Sequence, residues 1–585
     1  MTPDLARRDF IKTMGSAVAA GMLASRLGGA PAPSPMQLAR GVVFHDTDSS
    51  GKLTGAKPGV AGVLVSNGRQ IVRTDGEGRY ELPIGERGEI FVIKPRNWMV
   101  PVNALQLPQF YYLHRPTGTP AMARPEDAAY EFPGVPPTGP LPEAVNLPLR
   151  PRPEPERFRV LLCGDPQPGN EVQLDWMGRD VVAELRGVQD VAFGITVGDL
   201  VNVGRLQFLP RVNELQAMVG VPWLNVPGNH DLNFVAPTQE LSFETYTSLC
   251  GPTTYAWEHG AVHFLMLNNV FWKGHAGHEQ SPDVEAGGAV QINRKNYEMG
   301  LSESGWEFFA NYVATVPRDH LLVVAMHMNL VRGMPKPDGG TNGFAMEAGT
   351  VFTRRFLETI SGHPRTLSIS GHTHRQAHYF LGPEHGFTGE GRHHHFNSVC
   401  VRGAGYRGAL DEDGIPHSLS TCGTPNGYSF LTFEENRYSI AYRAARRRED
   451  FQLNIHAPAR VAAATGQPEV LVNVFAGSER SKVELRVAGD AWTTMQMTYR
   501  IDPAMALIVA EQRGAAPWRG PRYQGGTERA CEHLWVARLP ERLPTGMQLI
   551  EVRTTDMFGQ NSGATRPIMV VDRLAPLPDY PELKA

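Results

Sequence analysis

Five short polar motifs each close an apolar run, and each carries groups able to hold a cation or move a proton. They are Gly164-Asp165-Pro166-Gln167, Gly198-Asp199-Leu200-Val201-Asn202, Gly228-Asn229-His230-Asp231, Met326-His327 and Gly371-His372-Thr373-His374. If each apolar run is a strand, its polar groups emerge at the carboxyl end, where open sheets place their sites. The glycines let the chain turn sharply and bring backbone close to a ligand. Asp165, Asp199, Asn229, His327, His372 and His374 offer carboxylate, amide oxygen and imidazole. Such a mixture suits divalent transition metals of borderline hardness.

The elements that must position these groups lie between Arg159 and about Val401, where apolar strands alternate with helical stretches. Strands are predicted at Arg159–Cys163, Val191–Val197, Trp223–Val226, Val262–Leu267, Leu321–Met326 and Thr366–Ser370. Helices are predicted at Leu174–Leu185, Phe208–Val219, Gly305–Val313 and Thr353–Ile360, which makes an α/β layered domain. On both sides the pattern is short β. Gly62-Val63-Leu64-Val65, Arg79-Tyr80-Glu81-Leu82 and Ile90-Phe91-Val92-Ile93, separated by turns such as Asp75-Gly76, predict a small sandwich. Tyr438–Tyr442, Glu469–Val474, Lys482–Val487, His533–Ala537 and Gln548–Arg553 predict a second. Between Pro108 and Pro155 there are 13 prolines and no long periodic segment, so this stretch reads as an extended connector. The expected division is 1–36 leader, 37–107 N-terminal β-sandwich, 108–156 Pro-rich linker, 157–405 catalytic domain and 406–585 C-terminal β-sandwich.

Composition agrees with this organisation. At roughly 150 residues per domain, 585 residues allow three to four domains. Gly (61) and Pro (47) are more frequent than usual, which favours turns and short strands over a helical bundle. Hydrophobic content of 41 % with 20 % charged residues excludes a disordered chain. A formal charge of −4 argues against nucleic-acid binding. Arg7-Arg8-Asp9-Phe10-Ile11-Lys12, followed by a weakly apolar stretch to Leu27, reads as a twin-arginine export signal. The expectation is therefore a periplasmic or secreted, soluble protein with no transmembrane segment, exported by the bacterial twin-arginine machinery.

The five motifs in this order resemble the calcineurin-like metallophosphoesterase superfamily, whose pattern is Asp-x-His, Gly-Asp, Gly-Asn-His-Asp/Glu, His and Gly-His-x-His. The flanking β-domains make the chain similar to exported bacterial members of three-domain build. The resemblance implies a multidomain α/β plus all-β fold, with a central α/β/β/α sandwich flanked by two small β-sandwich domains. It implies that Asp165, Gln167 and His374 bind a first metal, that Asp199 bridges, and that Asn229, His327 and His372 hold a second. His230 would be catalytic, facing the phosphate, with Asp231 as its neighbour; Asn229 and His230 would also contact substrate. The implied activity is hydrolysis of phosphate esters, mono- or diesters, by a metal-dependent phosphoric ester hydrolase using a metal-bridging hydroxide as nucleophile. The implied cofactors are two divalent ions, Mn or Fe, with Zn possible. Gln167 departs from the commoner His. A competing reading is a carbohydrate- or surface-binding protein with a weak or inactive phosphoesterase core.

Other residues stay open at this level. Arg332, close after His327, is a candidate phosphate contact. His393-His394-His395 reads as a third metal site, a substrate contact or packing. His263 reads as a core histidine, and His275 and His278 as part of a surface loop. Phe110-Tyr111-Tyr112 and His114 either pin the linker or line a cleft. Asp46-x-Asp48-x-Ser50-Gly51 looks like the start of a calcium loop, but its twelfth position is Lys57 instead of a bidentate Glu. Five scattered cysteines lack any Cys-x-x-Cys, and Cys400 with Cys422 is a candidate disulfide.

Overall fold

Two sheets face each other across a cluster of phenylalanines in the computed structural model. It describes residues 36–122, 125–274, 296–331, 350–464, 468–514, 521–522 and 529–574. The first sheet runs in the order Trp223–Val226, Val191–Val197, Arg157–Cys163, Gly427–Glu434, Arg437–Ala444, its first three strands parallel and its last two antiparallel. The second runs Tyr255–His259, Val262–Leu267, Leu321–Met326, Thr366–Ser370, His393–Asn397, Ala377–Leu381, with four parallel inner strands and antiparallel edges. Every residue of Leu321–Met326 is buried, as parallel strands covered on both faces require. Between the sheets the Phe264 ring lies 5.2 Å from Phe193 and 5.3 Å from Phe433, and Phe433 stacks on Phe158 at 5.1 Å. Each such buried ring is worth roughly 1.5–3 kcal/mol.

Helices cover the outer faces. Glu171–Met177 starts at Asn170, whose side chain accepts from the Gln173 N–H, and the chain stays helical to Leu185. Helix Glu303–Thr315 is capped in the same way by Ser302 and buries Trp306, Phe308, Phe309 and Tyr312. Phe309 stacks on Phe356 of helix Thr350–Ile360, and Phe356 reaches His393 of the second sheet. The result is the expected α/β/β/α layering.

The flanking domains are β-sandwiches, with strands drawn from unexpected places. The N-terminal sheets run Arg79–Ile84, Gln37–His45, Leu147–Pro151, Trp98–Met99 and Ile71–Arg73, Leu64–Ser66, Glu89–Val92, Tyr111–Leu113. Two of these strands come from the stretch 108–156 read as linker, because Leu147 and Leu149 alternate inward and pair beside Val43 and His45. The hairpin Gly427–Glu434 and Arg437–Ala444, expected in the C-terminal sandwich, instead extends the first catalytic sheet. Beyond it, Leu453–His456, Glu469–Val474, Leu534–Arg538 and Gln496–Thr498 form one sheet. Arg460–Ala462, Asn561–Val571, Gly546–Thr555, Lys482–Val487 and Thr493–Thr494 form the other. All five cysteines are free, so the Cys400–Cys422 pairing is not formed. No helix among the described residues is long and apolar enough to cross a membrane.

The connector is locked down by charge and aromatic packing. Arg115, 6 % exposed, donates through Nε and Nη2 to Glu244, 2 % exposed, at 3.0 and 2.8 Å. Phe110 packs against Tyr255 and Trp257 at the edge of the second sheet. The aromatic run therefore pins the connector. In the N-terminal domain, the calcium-loop lookalike closes around an internal cation. The Lys57 ammonium sits among four acceptors, Asp46 Oδ1 at 2.8 Å, Asp48 Oδ1 at 2.5 Å, Ser50 Oγ at 2.7 Å and the Lys52 carbonyl at 2.7 Å, which share its three N–H groups. These are the first, third, fifth and seventh ligand positions of such a loop, with lysine at the twelfth.

Replacing Glu244 by Leu would leave the Arg115 guanidinium buried without its counter-charge. The expected loss is roughly 3–5 kcal/mol, measured by urea unfolding; a loss below about 1 kcal/mol would mean that the pair behaves as a surface bridge. Lys57→Glu should convert the loop into one that needs calcium. Its thermal midpoint is then expected to rise with added Ca²⁺ while that of the parent protein does not, and an insensitive variant would count against the lysine acting as the loop's cation.

Candidate metal centre

The five strand ends meet where the two sheets open. Asp165 and Gln167 follow Arg157–Cys163, Asp199 follows Val191–Val197, Asn229 and His230 follow Trp223–Val226, His327 follows Leu321–Met326, and His372 and His374 follow Thr366–Ser370. Asp165, Gln167, Asp199, His372 and His374 all have positive φ, from 40 to 71°. Such backbone is uncommon for residues with a Cβ and costs of order 1–3 kcal/mol where the surroundings must hold it. Close packing decides two neighbours. A Cβ on Gly198 (φ 87°) would lie 2.4 Å from the His327 ring, and one on Gly228 would lie 2.2 Å from the Asp199 carboxylate.

Four ligand-type atoms converge at His327. Its Nδ1–H donates to the Val197 carbonyl at 2.8 Å, which turns Nε2 inward. Nε2 lies 3.0 Å from Asn229 Oδ1, 3.1 Å from Asp199 Oδ1 and 3.1 Å from His372 Nδ1. A proton can serve one such contact, whereas a cation can serve all of them, so this donor set fits a divalent metal. A second group joins Asp165, Asp199 and His374, whose ligand atoms all lie within 4.8 Å of one another. Asp199 belongs to both groups.

The electrostatics follow from burial. Burial is the largest influence on Asp165 and pushes its carboxyl up to about 7, against the pull of His327. Burial acts the same way on Asp199, but the imidazoles of His230 and His327 outweigh it and hold that carboxyl below the usual range. His327 rises to about 9 because Asp199 overcomes its desolvation. The group is thus a compact set of buried charges in which the shared carboxylate stays ionised.

Two of the expected site residues make contacts that the sequence does not suggest. Asp231 does not face the reaction centre: it is fully buried and accepts from the backbone N–H groups of Gly228, Leu200 and Val201 at 2.7, 3.2 and 3.2 Å. It clamps the Asp199 loop to the Asn229 loop. Gln167, expected as a ligand, has its amide oxygen turned to the Arg402 guanidinium and its N–H₂ turned to Asp199 Oδ2. His230 donates its backbone N–H to Asp199 Oδ1 at 2.8 Å, and its side chain, 21 % exposed, lies with Nε2 3.8 Å from Asp199 Oδ2.

The histidine run is a buried ladder. His393 contacts Thr366 Oγ1 and Ser368 Oγ at 2.8 and 2.7 Å, and His395 contacts Ser368 Oγ and Ser370 Oγ at 2.7 and 3.0 Å. Asn397 continues it, donating to Thr373 Oγ1 at 2.8 Å beside His374. Of the three readings, packing holds: these imidazoles are satisfied by the neighbouring strand. His263 is a core histidine contacting Tyr312 at 3.1 Å and His320 at 3.0 Å. Arg332, His275, His278 and Arg7-Arg8 lie outside the described residues. Arg402 and Asn397 were not anticipated. The available signal for Arg402 was its place after the apolar Val399-Cys400-Val401 and before Gly403, the same strand-end pattern as the other motifs.

Three models of one family match in chain order: the N terminal of calcineurin-like phosphoesterase over residues 47–124, calcineurin-like phosphoesterase over 158–376, and the C terminal of calcineurin-like phosphoesterase over 395–561. No curated protein sequence matches the chain. Among solved structures, a purple acid phosphatase from yellow lupin (Lupinus luteus) seeds is similar at 12 % identity and a TM-score of 0.34, over 70 % of this chain and 72 % of that one. The family models cover most of the chain, and the protein belongs to the calcineurin-like phosphoesterases, metal-dependent enzymes that hydrolyse phosphoesters.

Proposed function

We propose that the protein is an exported hydrolase of phosphate monoesters or diesters that works with two divalent cations, manganese or iron. The observation that carries this reading is the approach of Asn229 Oδ1, Asp199 Oδ1 and His372 Nδ1 to His327 Nε2 at 3.0–3.1 Å. The membership of Asp199 in both donor groups supports a pair of ions over a single one. When bound, the cations would supply Lewis-acid charge to the phosphoryl group and acidify water.

The protein's own part is orientation and proton handling. The Val197 carbonyl accepts from His327 Nδ1–H, so Nε2 is the nitrogen that would meet a cation in place of its proton. Asp231 keeps the Asp199 and Asn229 loops in register through three backbone bonds. His230 is partly exposed beside the shared carboxylate, so its Nε2 can carry a proton to the leaving oxygen or hold a phosphoryl oxygen. Asn229 precedes it on the same turn and brings the amide to the cation side. The sequence Arg7-Arg8-Asp9-Phe10-Ile11-Lys12 supports export through the twin-arginine machinery to the periplasm.

A panel of phosphomonoesters and phosphodiesters assayed with added Mn²⁺ tests the activity. Asp199→Asn is expected to abolish turnover and to lose the paired metals in elemental analysis. His230→Ala should keep the metals and lose roughly 10²–10⁴ in kcat, the usual share of a positioned acid. Metal loss in His230→Ala as severe as in His372→Ala would contradict the assignment. Separately, replacing Arg7-Arg8 by Lys-Lys should strand active enzyme in the cytoplasm, and unchanged periplasmic activity would count against twin-arginine export.

A further inference from the structure

One buried amide stands between the two ligand-bearing loops of the second sheet. Asn397 ends the strand His393–Asn397, fully buried, and pairs beside Ser370 at the end of the neighbouring strand. Its orientation is fixed from two sides. The Arg375 carbonyl can only accept, so the Asn397 atom facing it is Nδ2, which also donates to Thr373 Oγ1 at 2.8 Å. The Val331 N–H can only donate, so it takes Asn329 Oδ1 at 2.7 Å and leaves Asn329 Nδ2 to donate to Asn397 Oδ1 at 2.7 Å. Asn329 lies two residues after His327, and Thr373 lies between His372 and His374. A single side chain thus joins the loop after His327 to the loop of His372 and His374. His395, two residues back on the same face of the strand, adds a further tie, since its Nε2 accepts from the Leu330 N–H at 3.3 Å. Burial keeps that ring neutral, so its proton is on Nδ1, which donates to Ser368 Oγ at 2.7 Å. The loop after His327 has another anchor in Asn269, which meets the N–H and carbonyl of Met328 at 2.9 and 2.8 Å and keeps the loop attached if Asn397 is truncated.

We propose that Asn397 is a positioning residue for the metal centre: its oxygen holds the loop after His327, its N–H₂ holds the loop of His372 and His374, and the amide so sets the spacing of these imidazoles. The proposal rests on the metal-dependent reading above. A cation gains most from donors already at the right separation, because ordering them on binding costs affinity. His327 Nε2 and His372 Nδ1 lie 3.1 Å apart although their loops follow different strands. The Gly371 N–H, donating to the His327 carbonyl at 3.1 Å, joins the two loops at their base. Asn397 fixes the residues beyond that bond on both sides. It acts through Asn329, Thr373 and Arg375 and is not itself a ligand.

Metal-stripped protein titrated with Mn²⁺ by calorimetry, with the thermal midpoint of the metal-free form measured alongside, tests this. Asn397→Ala is expected to bind Mn²⁺ about 10–100-fold more weakly than the parent, the usual cost of losing a partner that orients ligands. Thr366→Val is the comparison. It breaks the contact with His393 Nδ1 at the opposite end of the same strand pair from both loops. It should lower the metal-free midpoint and leave the Mn²⁺ affinity within about threefold of the parent. Thr373→Val, which removes only the hydroxyl that accepts from Asn397, should weaken binding by a smaller factor than Asn397→Ala. An Asn397→Ala protein that binds within about threefold of the parent, or a Thr366→Val protein weakened as much as Asn397→Ala, would overturn the proposal and leave the metal-dependent reading standing. A parent protein that takes up no Mn²⁺ would overturn both. If Asn397→Ala does not fold by circular dichroism, Thr373→Val decides: binding weaker than in Thr366→Val supports the proposal, and binding equal to it overturns the proposal.

Discussion

Asp199 is a carboxylate with 1 % of its surface exposed, and its buried charge has to be answered from every direction. His327 Nε2 and the His230 N–H meet one oxygen, while the Gln167 amide meets the other. Each of these groups arrives from a different strand end. The site can form only if both sheets present their carboxyl ends at one place, which makes the relative placement of the sheets the requirement behind everything else. The bond from His327 Nδ1 to the Val197 carbonyl crosses directly from one sheet to the other and fixes that placement next to the shared carboxylate.

Holding side chains on such tight turns requires a backbone that unaided residues avoid. Five of the site residues have positive φ, and the loops persist because buried hydrogen bonds over-determine them. Asp231 fastens two loops through three backbone amides, and both oxygens of Asp165 accept from the His372 N–H at 3.0 Å. The interior carboxylates thus divide their work: Asp231 and part of Asp165 hold the frame, while Asp199 is left for the centre.

The C-terminal part of the chain braces the site from behind. Thr421 N–H donates to the His374 carbonyl at 3.1 Å, and Gln376 reaches the Phe475 carbonyl at 2.9 Å. Arg375 pairs with Glu532 at 2.9 Å, both 6 % exposed at the side chain. Arg446 joins Asp180 at 2.9 Å to Asp411 at 2.6 Å. Unfolding of the C-terminal sandwich would therefore reach His374 through these partners, which gives a physical reason for the flanking domain to accompany the catalytic one.

The amino-acid sequence by itself determined which polar residues end the central strands and where those strands lie. Parallel strands buried on both faces must be continuous apolar runs, and the polar residue that ends each run is conspicuous; Val191–Val197, Trp223–Val226 and Thr366–Ser370 are found where the runs predict them. It did not reveal His393–Asn397 as a buried strand, because three histidines look polar until Thr366, Ser368 and Ser370 are seen beside them. Nor did it assign Gly427–Glu434 to the catalytic sheet or Leu147–Pro151 to the N-terminal sandwich, since an alternating pattern specifies a strand and not its neighbour. Only the tertiary structure decided what Asp231, Gln167 and Arg402 do. Residue type states what a side chain can bond to, but Arg402 meets Gln167 across 235 residues of chain, and such a meeting is set by how the whole molecule packs.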